Sequence, residues 1–290
     1  MAARLSAFFW RRPRLKLVAL LTPPLGAFLL VYAASLAVLL ASAFWSVDVL
    51  TANVVHKWSF ANFHDIFGSP EYRRIAIRTI LFAAAVTVTD VVIAFPLAYF
   101  MARIATRRTR AIMLVLVLLP LWASYLARVY AWRLILAQDG ALNWALEKVG
   151  LPATGISYTN TAVWIVFSYI WLPFMITPVF AALERVPESL IEASGDLGGR
   201  GWTTFRRVIL PLALPGVVAG SIFTFSLTLG DYITPTLVGG ASSSFIGNVI
   251  YSNVGVANNV PFAAAYATIP VIVMAVYLGL ARRTGAFEAL

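Results

Sequence analysis

The sequence contains no cysteine and only two histidines among its 290 residues. Without cysteine, the chain has neither a disulfide framework nor thiolate chemistry. The histidines, His56 and His64, lie in one polar segment, and no cluster of carboxylates accompanies them. Metal sites in proteins gather three or four such ligands, so we expect no metal site and no other cofactor.

Charge is also scarce. Charged residues make up 12% of the chain and hydrophobic residues 61%, whereas soluble domains average about 25% charged and about 45–50% apolar residues. This composition predicts an integral membrane protein. The net charge of +10 does not indicate a nucleic-acid partner, because the basic residues lie in short segments that flank apolar runs.

Six apolar runs are long enough to cross a membrane as helices. About 20 residues at 1.5 Å each span the roughly 30 Å of hydrocarbon, and the alternating pattern of a β-barrel is absent. The first run exceeds the about 7–15 apolar residues of a signal peptide, so we interpret it as a retained span. We predict one transmembrane domain, 1–290, with spans at about 17–44, 75–102, 111–136, 161–183, 213–238 and 261–280.

Basic residues are distributed unevenly between the two sides of this arrangement. Fifteen of them lie in the two termini and in the loops after spans two and four, against four in the opposite loops. Cytoplasmic loops carry the excess of Lys and Arg, so both termini and the loop 184–212 are predicted to be cytoplasmic. The fifteen are Arg4, Arg11, Arg12, Arg14, Lys16, Arg103, Arg107, Arg108, Arg110, Arg185, Arg200, Arg206, Arg207, Arg282 and Arg283.

The longest polar segment between two apolar runs is VPESLIEASGDLGGRGWTTFRRVILPLALPG, residues 186–216. Pro187 predicts a helix start, because proline at the first helical position gives up no hydrogen bond. Apolar and acidic side chains then separate onto different helix faces, and Gly198 with Gly199 indicates the end. A connector lying on lipid is the alternative, but acidic residues would be repelled by anionic headgroups. We therefore interpret the segment as a docking loop.

Part of this segment resembles the EAA motif (EAA, three residues, G, nine residues, I-x-L-P) of the membrane subunits of binding-protein-dependent ABC importers. Ser194 stands for the second alanine and Val208 for the isoleucine. The resemblance implies a type I importer (MetI-like) permease fold, all-α with six transmembrane helices, in which a short cytoplasmic coupling helix contacts the ATPase, chiefly through Glu192 and Gly198. The residues that match the motif are Glu192, Ala193, Ser194, Gly198, Val208, Leu210 and Pro211.

The partners follow from this resemblance and from one missing motif. The chain contains no G-x-x-x-x-G-K-[ST] phosphate-binding run, so we expect ATP hydrolysis in another subunit and no enzymatic activity here. The resemblance implies a dimer of ATP-binding subunits, a second permease subunit and an external substrate-binding protein in a bacterial inner membrane. For the permease pair, a heterodimer is favoured over a homodimer.

Further segments, among them ANFHDIFGSPEY and LGDYITPTLVGG, resemble the spermidine/putrescine permease branch of this family. That resemblance implies a polyamine or related cationic amine as cargo. Other cargoes of similar permeases stay open: opines, amino acids, phosphonates, sulfate and iron(III).

Two carboxylates lie inside predicted spans, where a charge costs about 2.5–3.5 kcal/mol on insertion scales. Asp231 is flanked by Gly230, Tyr232 and Pro235, which indicates a broken helix of the kind that lines cavities in membranes. We therefore expect Asp231 and Tyr232 to line the substrate pathway. Asp90 is a second pathway candidate, but a structural pairing with a neighbouring helix is an equal alternative.

Aromatic residues on the third predicted span offer ring faces to an ammonium group. Trp122 and Tyr125 are the pathway candidates. Tyr130 and Trp132 are better explained as anchors at the membrane interface. Arg128 and Arg133, late in the same span, are expected near the outer surface, where they either extend to the membrane interface or bond to the docked binding protein.

Two other functional classes fit the sequence less well. An ion-coupled secondary transporter is expected to contain duplicated halves with interrupted helices in matching positions, and the sequence has no such duplication. A membrane enzyme is not indicated, because the chain has no G-x-S-x-G elbow and no Ser/His/Asp grouping within its spans.

Overall fold

A computed structural model describes residues 13–48, 51, 53–240 and 243–284. The described chain is mostly helical, with one antiparallel pair of two-residue strands, β1 (Ser46–Val47) and β2 (Val54–Val55). The α-helices are α1 (Pro13–Phe28), α2 (Ala34–Ser42), α3 (Ala61–Gly68), α4 (Pro70–Tyr99), α5 (Arg107–Leu118), α6 (Tyr125–Ile135), α7 (Ala141–Lys148), α8 (Asn160–Glu184), α9 (Glu188–Asp196), α10 (Gly201–Thr204), α11 (Leu210–Gly230), α12 (Ile233–Val238), α13 (Ile246–Gly255) and α14 (Val260–Ala281).

Short π-helical and 3-10 segments join several of these helices into longer rods. Five rods in the described chain, three of them joined in this way and two of them single helices, are long and apolar enough to cross a membrane, and a bent pair makes a sixth. This confirms the predicted all-α, polytopic class. The five rods are Leu17–Ser42, Pro70–Ile104, Asn160–Glu184, Gly201–Gly230 and Val260–Ala281.

The third span is not the continuous helix 111–136 that we predicted. Its two parts, Arg107–Trp122 and Tyr125–Ile135, meet at an angle of 95°. Pro120 lies in a 3-10 turn. Ala123 and Ser124, which follow it in the chain, have ψ of 143° and 138°, outside the helical range. Proline removes a helical hydrogen bond. Nothing in the polarity of this run shows at which residue the helix ends.

The fifth span also differs from the predicted 213–238. Its rod begins at Gly201 and ends at Gly230, where the chain breaks before α12. A π-helical segment, Phe205–Ile209, joins α10 to α11 just ahead of Pro211. The π-helical hydrogen-bond pattern accommodates proline, which cannot donate a backbone hydrogen bond. The rod therefore continues through a segment that we predicted as a loop. The predicted break beside Asp231 is present.

Three segments predicted as loops contain the short helices α3, α7 and α13. They have only eight to ten residues each, too few for a periodic pattern to stand out between apolar runs. The second rod begins at Pro70, so Arg73 and Arg74 lie inside a helix rather than before it. Of the basic residues counted for orientation, Arg4, Arg11 and Arg12 lie outside the described residues.

The centre of the fold is α8, which packs mainly against α11 and α4. Glycine allows the closest part of the α8–α11 contact. A Cβ on Gly220 would lie 2.7 Å from Met175 Sδ and 3.1 Å from the Met175 carbonyl oxygen, and one on Gly216 would lie 2.5 Å from the Pro178 carbonyl oxygen. Small residues let membrane helices approach closely in this way.

Replacing Gly220 with leucine should therefore separate α8 from α11. We expect the purified subunit in detergent to lose about 1–3 kcal/mol of stability, the usual cost of overpacking, measured as a lower midpoint of thermal unfolding by circular dichroism. Gly279 on α14 is the control, because a Cβ there meets nothing within 4 Å. Equal stability of Gly220→Leu and Gly279→Leu would contradict the packing assignment.

Candidate functional site

The break between α11 and α12 is built around Asp231. α11 ends at Gly230, and Asp231 is extended, with φ −75° and ψ 130°. Its Oδ1 accepts hydrogen bonds from the backbone N–H groups of Ile233 at 2.8 Å and Thr234 at 3.3 Å. The first N–H groups of a helix need such an acceptor, so the carboxylate caps the start of α12.

The other carboxylate oxygen of Asp231 reaches the second break. Its Oδ2 accepts from the Thr234 hydroxyl at 2.8 Å and from the Tyr125 hydroxyl. Tyr125 is the first residue of α6, directly after the 95° bend, and its ring stacks on Trp171 of α8 at 5.7 Å. One carboxylate therefore fastens the bend of the third span to the break in the fifth.

All four donors to Asp231 are uncharged. No Lys, Arg or His in the described chain lies within 4.0 Å of its carboxylate. The four bonds occupy the four lone-pair positions of the group, so a further ligand would meet its charge through space rather than through a direct hydrogen bond.

An aromatic pair lies beside the break. Tyr232 stacks on Tyr251 of α13 with ring centroids 4.4 Å apart and an angle of 13° between the planes. Asn248 holds α13 against this segment, because its amide donates to the Tyr232 carbonyl oxygen at 3.0 Å and to the Thr236 hydroxyl at 2.8 Å. A Cβ on Gly247 would lie 2.9 Å from the Asp231 carbonyl oxygen, so only glycine lets α13 come this close.

A cavity of about 290 Å³ opens between the break, α13 and α14. Gly230, Tyr232, Gly247, Tyr251 and Pro270 are among its lining residues. The last carbonyl groups of α11 lie at this end of the helix, where the helix dipole is negative. The cavity thus combines two aromatic rings with the negative end of a helix, features that suit a cation.

The structure brings together three of the pathway candidates, Asp231, Tyr232 and Tyr125. Trp122 belongs neither to the hydrogen-bond network nor to the cavity lining, and its side chain is 89% exposed at the bend. Tyr251 was missed from sequence. It lies in a segment that we predicted as a loop, and its pairing with Tyr232 across 18 intervening residues gives no local signal.

Asp90 lies elsewhere. Its side chain is 0% exposed in the middle of α4 and faces Ser168 of α8. The two side chains are not in hydrogen-bonding geometry, so both carboxylate oxygens and Ser168 Oγ have no partner among the described residues. In this conformation Asp90 is closed off between helices and does not line the cavity.

The residues matching the EAA motif form a helix and a turn at the far end of α8. α9 follows Pro187, and Gly198 ends the turn with φ +79°, in the left-handed region that glycine prefers. Glu192, Ala193 and Gly198 are exposed. Ser194 is half-buried, because its hydroxyl lies 2.9 Å from the hydroxyl of Thr204 on α10.

The rest of this motif starts the fifth rod. Val208 is half-buried in the π-helical segment, and Leu210 and Pro211 are exposed at the beginning of α11. Two apolar side chains beside α9 are left largely uncovered, with Leu197 90% and Trp202 71% exposed. Together with the acidic face of α9, they form a surface on which another protein can dock.

Comparison with known proteins identifies the family. Residues 73–284 match the family described as "Binding-protein-dependent transport system inner membrane component". The chain is 47% identical to the inner membrane ABC transporter permease protein YdcU of Escherichia coli (strain K12), over 99% of this chain and 95% of that protein. It is 34% identical to the spermidine/putrescine transport system permease protein PotB of the same strain, over 72% of this chain and 76% of that protein.

Solved structures support the fold. A bacterial alginate ABC transporter, in complex with an alginate pentasaccharide-bound periplasmic protein, has a chain that superposes with a TM-score of 0.77 at 17% identity, covering 97% of this chain and 98% of that chain. A second structure, of a bacterial ABC transporter that imports the acidic polysaccharide alginate, gives a TM-score of 0.71 at 19% identity, covering 97% and 99%. At this level of identity the likeness concerns the fold alone.

Replacing Tyr125 with phenylalanine should loosen the junction between the two breaks. The change removes one hydrogen bond to a carboxylate, worth about 1.5–3 kcal/mol, and leaves the ring that stacks on Trp171. We expect a lower unfolding midpoint in detergent. Tyr130→Phe on the same helix is the control, because its ring is 44% exposed. Equal midpoints for the two variants would mean that the hydroxyl of Tyr125 does not hold the junction.

Proposed function

This chain belongs to the family of binding-protein-dependent transport system inner membrane components, and as its specific role we propose transport of polyamines or related cationic amines. It is an ABC importer permease subunit, a multi-pass protein of the inner membrane. In our proposal the pathway passes the break between α11 and α12.

The observation that carries the cargo assignment is the combination of charges and rings at that break. Asp231 is a carboxylate without a cationic partner in the described chain, held by four uncharged donors. An uncompensated carboxylate attracts a cation, and the stacked Tyr232–Tyr251 pair offers an aromatic face worth about 0.5–2 kcal/mol to an ammonium group. A neutral or anionic cargo would gain from neither feature.

The relatives support the same cargo class. Several of them are spermidine/putrescine transport system permease proteins. The one from Haemophilus influenzae is 31% identical over 80% of this chain. We propose the same cargo class for this chain. Its alternatives are the other small solutes named above, which competition in uptake separates from polyamines.

We also propose how ATP hydrolysis is coupled to transport. We propose that α9 is the coupling helix, that it lies on the cytoplasmic side, and that it docks on one of two ATP-binding subunits. The exposed side chains of Glu192, Leu197 and Trp202 support this, because an apolar surface beside acidic residues suits a protein partner better than anionic lipid. A second permease subunit and an external binding protein would complete the importer.

Replacing Tyr251 with leucine tests the cargo site. In proteoliposomes containing the complete importer, we expect the apparent affinity for spermidine or putrescine to fall about two- to thirtyfold, the loss of one cation–π contact. Tyr130→Leu is the control.

Asp231→Asn should lower polyamine uptake as well, because it removes the charge while keeping one acceptor for the α12 cap. Asp139→Asn, an exposed acid in the turn between α6 and α7, controls for the change in net charge. Polyamine uptake unchanged in both Tyr251→Leu and Asp231→Asn would remove the break from the pathway. ATP-driven uptake of an anionic solute that polyamines do not compete with would overturn the cargo assignment.

Replacing Glu192 with lysine tests the docking surface. The change reverses an exposed charge on α9, so we expect weaker binding of the ATP-binding subunits and little substrate-driven ATP hydrolysis, with the thermal midpoint of the isolated chain unchanged. Glu147→Lys on α7 makes the same charge change at another exposed position. The coupling assignment would be wrong if Glu192→Lys and Glu147→Lys retained the ATP-binding subunits equally in pull-down.

A further inference from the structure

Two arginines fasten the chain just ahead of α9 to the ends of α4 and α5. Arg103 lies in the π-helical segment Phe100–Ile104 that ends the second rod. Its Nη2 donates to the Leu183 carbonyl oxygen at 2.7 Å and to the Val186 carbonyl oxygen. Leu183 and Val186 are 0% and 4% exposed, so the guanidinium holds the two buried ends of a turn that finishes two residues before α9.

Arg110 of α5 completes the arrangement. Its Nε and Nη2 donate to the carbonyl oxygens of Met101 and Ala102, each at 2.9 Å, and its Nη1 lies 3.1 Å from Glu184 Oε1. Met101 and Ala102 belong to the same π-helical segment as Arg103, and Glu184 is the last residue of α8. One guanidinium thus joins the ends of α4 and α8.

The acceptors favour a cation at both positions. Three of them, on Met101, Ala102 and Leu183, are carbonyl groups in the last turns of helical segments, where unpaired acceptors and the negative end of the dipole favour a positive charge. The others are the Val186 carbonyl group just beyond α8 and the carboxylate of Glu184. Arg110 binds its three acceptors through three different nitrogens, which the planar fork of a guanidinium allows and the single ammonium of lysine does less well. Arg103 makes both of its bonds from Nη2. We name Arg103 and Arg110, with these acceptors, the arginine clamp.

The clamp defines how α9 is connected to the transmembrane helices. Downstream, α9 is held to α10 by the 2.9 Å contact between the Ser194 and Thr204 hydroxyls. Upstream, the chain joins α8 to α9 through Val186 and Pro187, a link that the bond from Arg103 supports. Ile191 of α9 also packs against the hydrophobic cluster that contains Leu183. Without the clamp, a displacement of α9 could be absorbed by rotation at this short linker.

We propose that Arg103 and Arg110 are positioning residues for energy coupling: the clamp passes the displacement of α9 to α4 and α8. These two helices pack against each other and against α11, whose far end forms the Asp231 break. The inference rests on the proposed function, in which α9 docks on the ATP-binding subunits. It assigns to the arginines a role in transmitting movement and none in binding cargo or ATP.

The test uses the complete importer in proteoliposomes, with ATP hydrolysis and polyamine uptake measured on the same preparation. Arg103→Lys keeps the charge but replaces the guanidinium with the more compact ammonium of lysine, and Arg103→Ala removes the charge and both hydrogen bonds. For each variant we expect the amount of cargo transported per ATP hydrolysed to fall at least about tenfold, because hydrogen bonds made by a charged group are lost. Basal ATP hydrolysis and the yield of assembled complex should stay within about twofold of wild type. Arg107→Ala is the control, because Arg107 is an exposed arginine at the start of α5.

A second readout does not depend on the cargo. Hydrogen–deuterium exchange of the assembled complex should be faster in the amides of residues 183–196 in Arg103→Lys than in Arg107→Ala. An unchanged ratio of uptake to hydrolysis in Arg103→Lys and Arg103→Ala, or unchanged exchange, would overturn the clamp. A wild-type complex that hydrolyses ATP and moves no polyamine would instead count against the proposed cargo, and the exchange measurement would still decide on the clamp.

Discussion

The carboxylate of Asp231 is the contact on which this end of the transmembrane bundle depends. Within hydrocarbon, an interrupted helix must find partners for the backbone groups that the interruption frees. The Asp231 carboxylate accepts hydrogen bonds from two backbone N–H groups of α12 and from the hydroxyl of Tyr125 at the bend of the third span. Two breaks, each costly alone, are therefore stabilised by a single side chain. The close approach of α13 at Gly247 and the stacked tyrosines follow from the shape of this junction.

This arrangement gives Asp231 a role that its position in an apolar run did not reveal. A carboxylate in a membrane span suggests a direct ligand for a cationic cargo, yet all of its lone-pair positions already accept hydrogen bonds. Since every donor is neutral, a cargo in the neighbouring cavity would still experience its charge. The structural role and the proposed electrostatic role are compatible, and both depend on the carboxylate remaining where Tyr125 and Thr234 hold it.

Much of the fold was predictable, because long apolar runs and the EAA spacing are local signals. The helical class, the break beside Gly230 and the turn at Gly198 were predicted correctly. The 95° bend near Ala123 was not, since one proline in a uniformly apolar run marks no boundary. Tyr251 and the arginine clamp were also missed. Tyr251 meets Tyr232, and Arg103 meets Val186, only after distant parts of the chain pack together.

The two ends of the molecule are connected through α8. It carries Trp171 near the Asp231 junction, and its last residue, Glu184, lies against Arg110 beside the proposed coupling helix. The chain has no cysteine, so single cysteines report directly on its surfaces. We would introduce cysteine at Leu197, 90% exposed beside α9, or at Val256, 84% exposed after α13, and label membrane vesicles with a charged maleimide. We predict that the ATP-binding subunits block labelling at 197 and leave 256 unaffected, with the two positions labelled from opposite sides. Equal labelling at 197 with and without those subunits would contradict it.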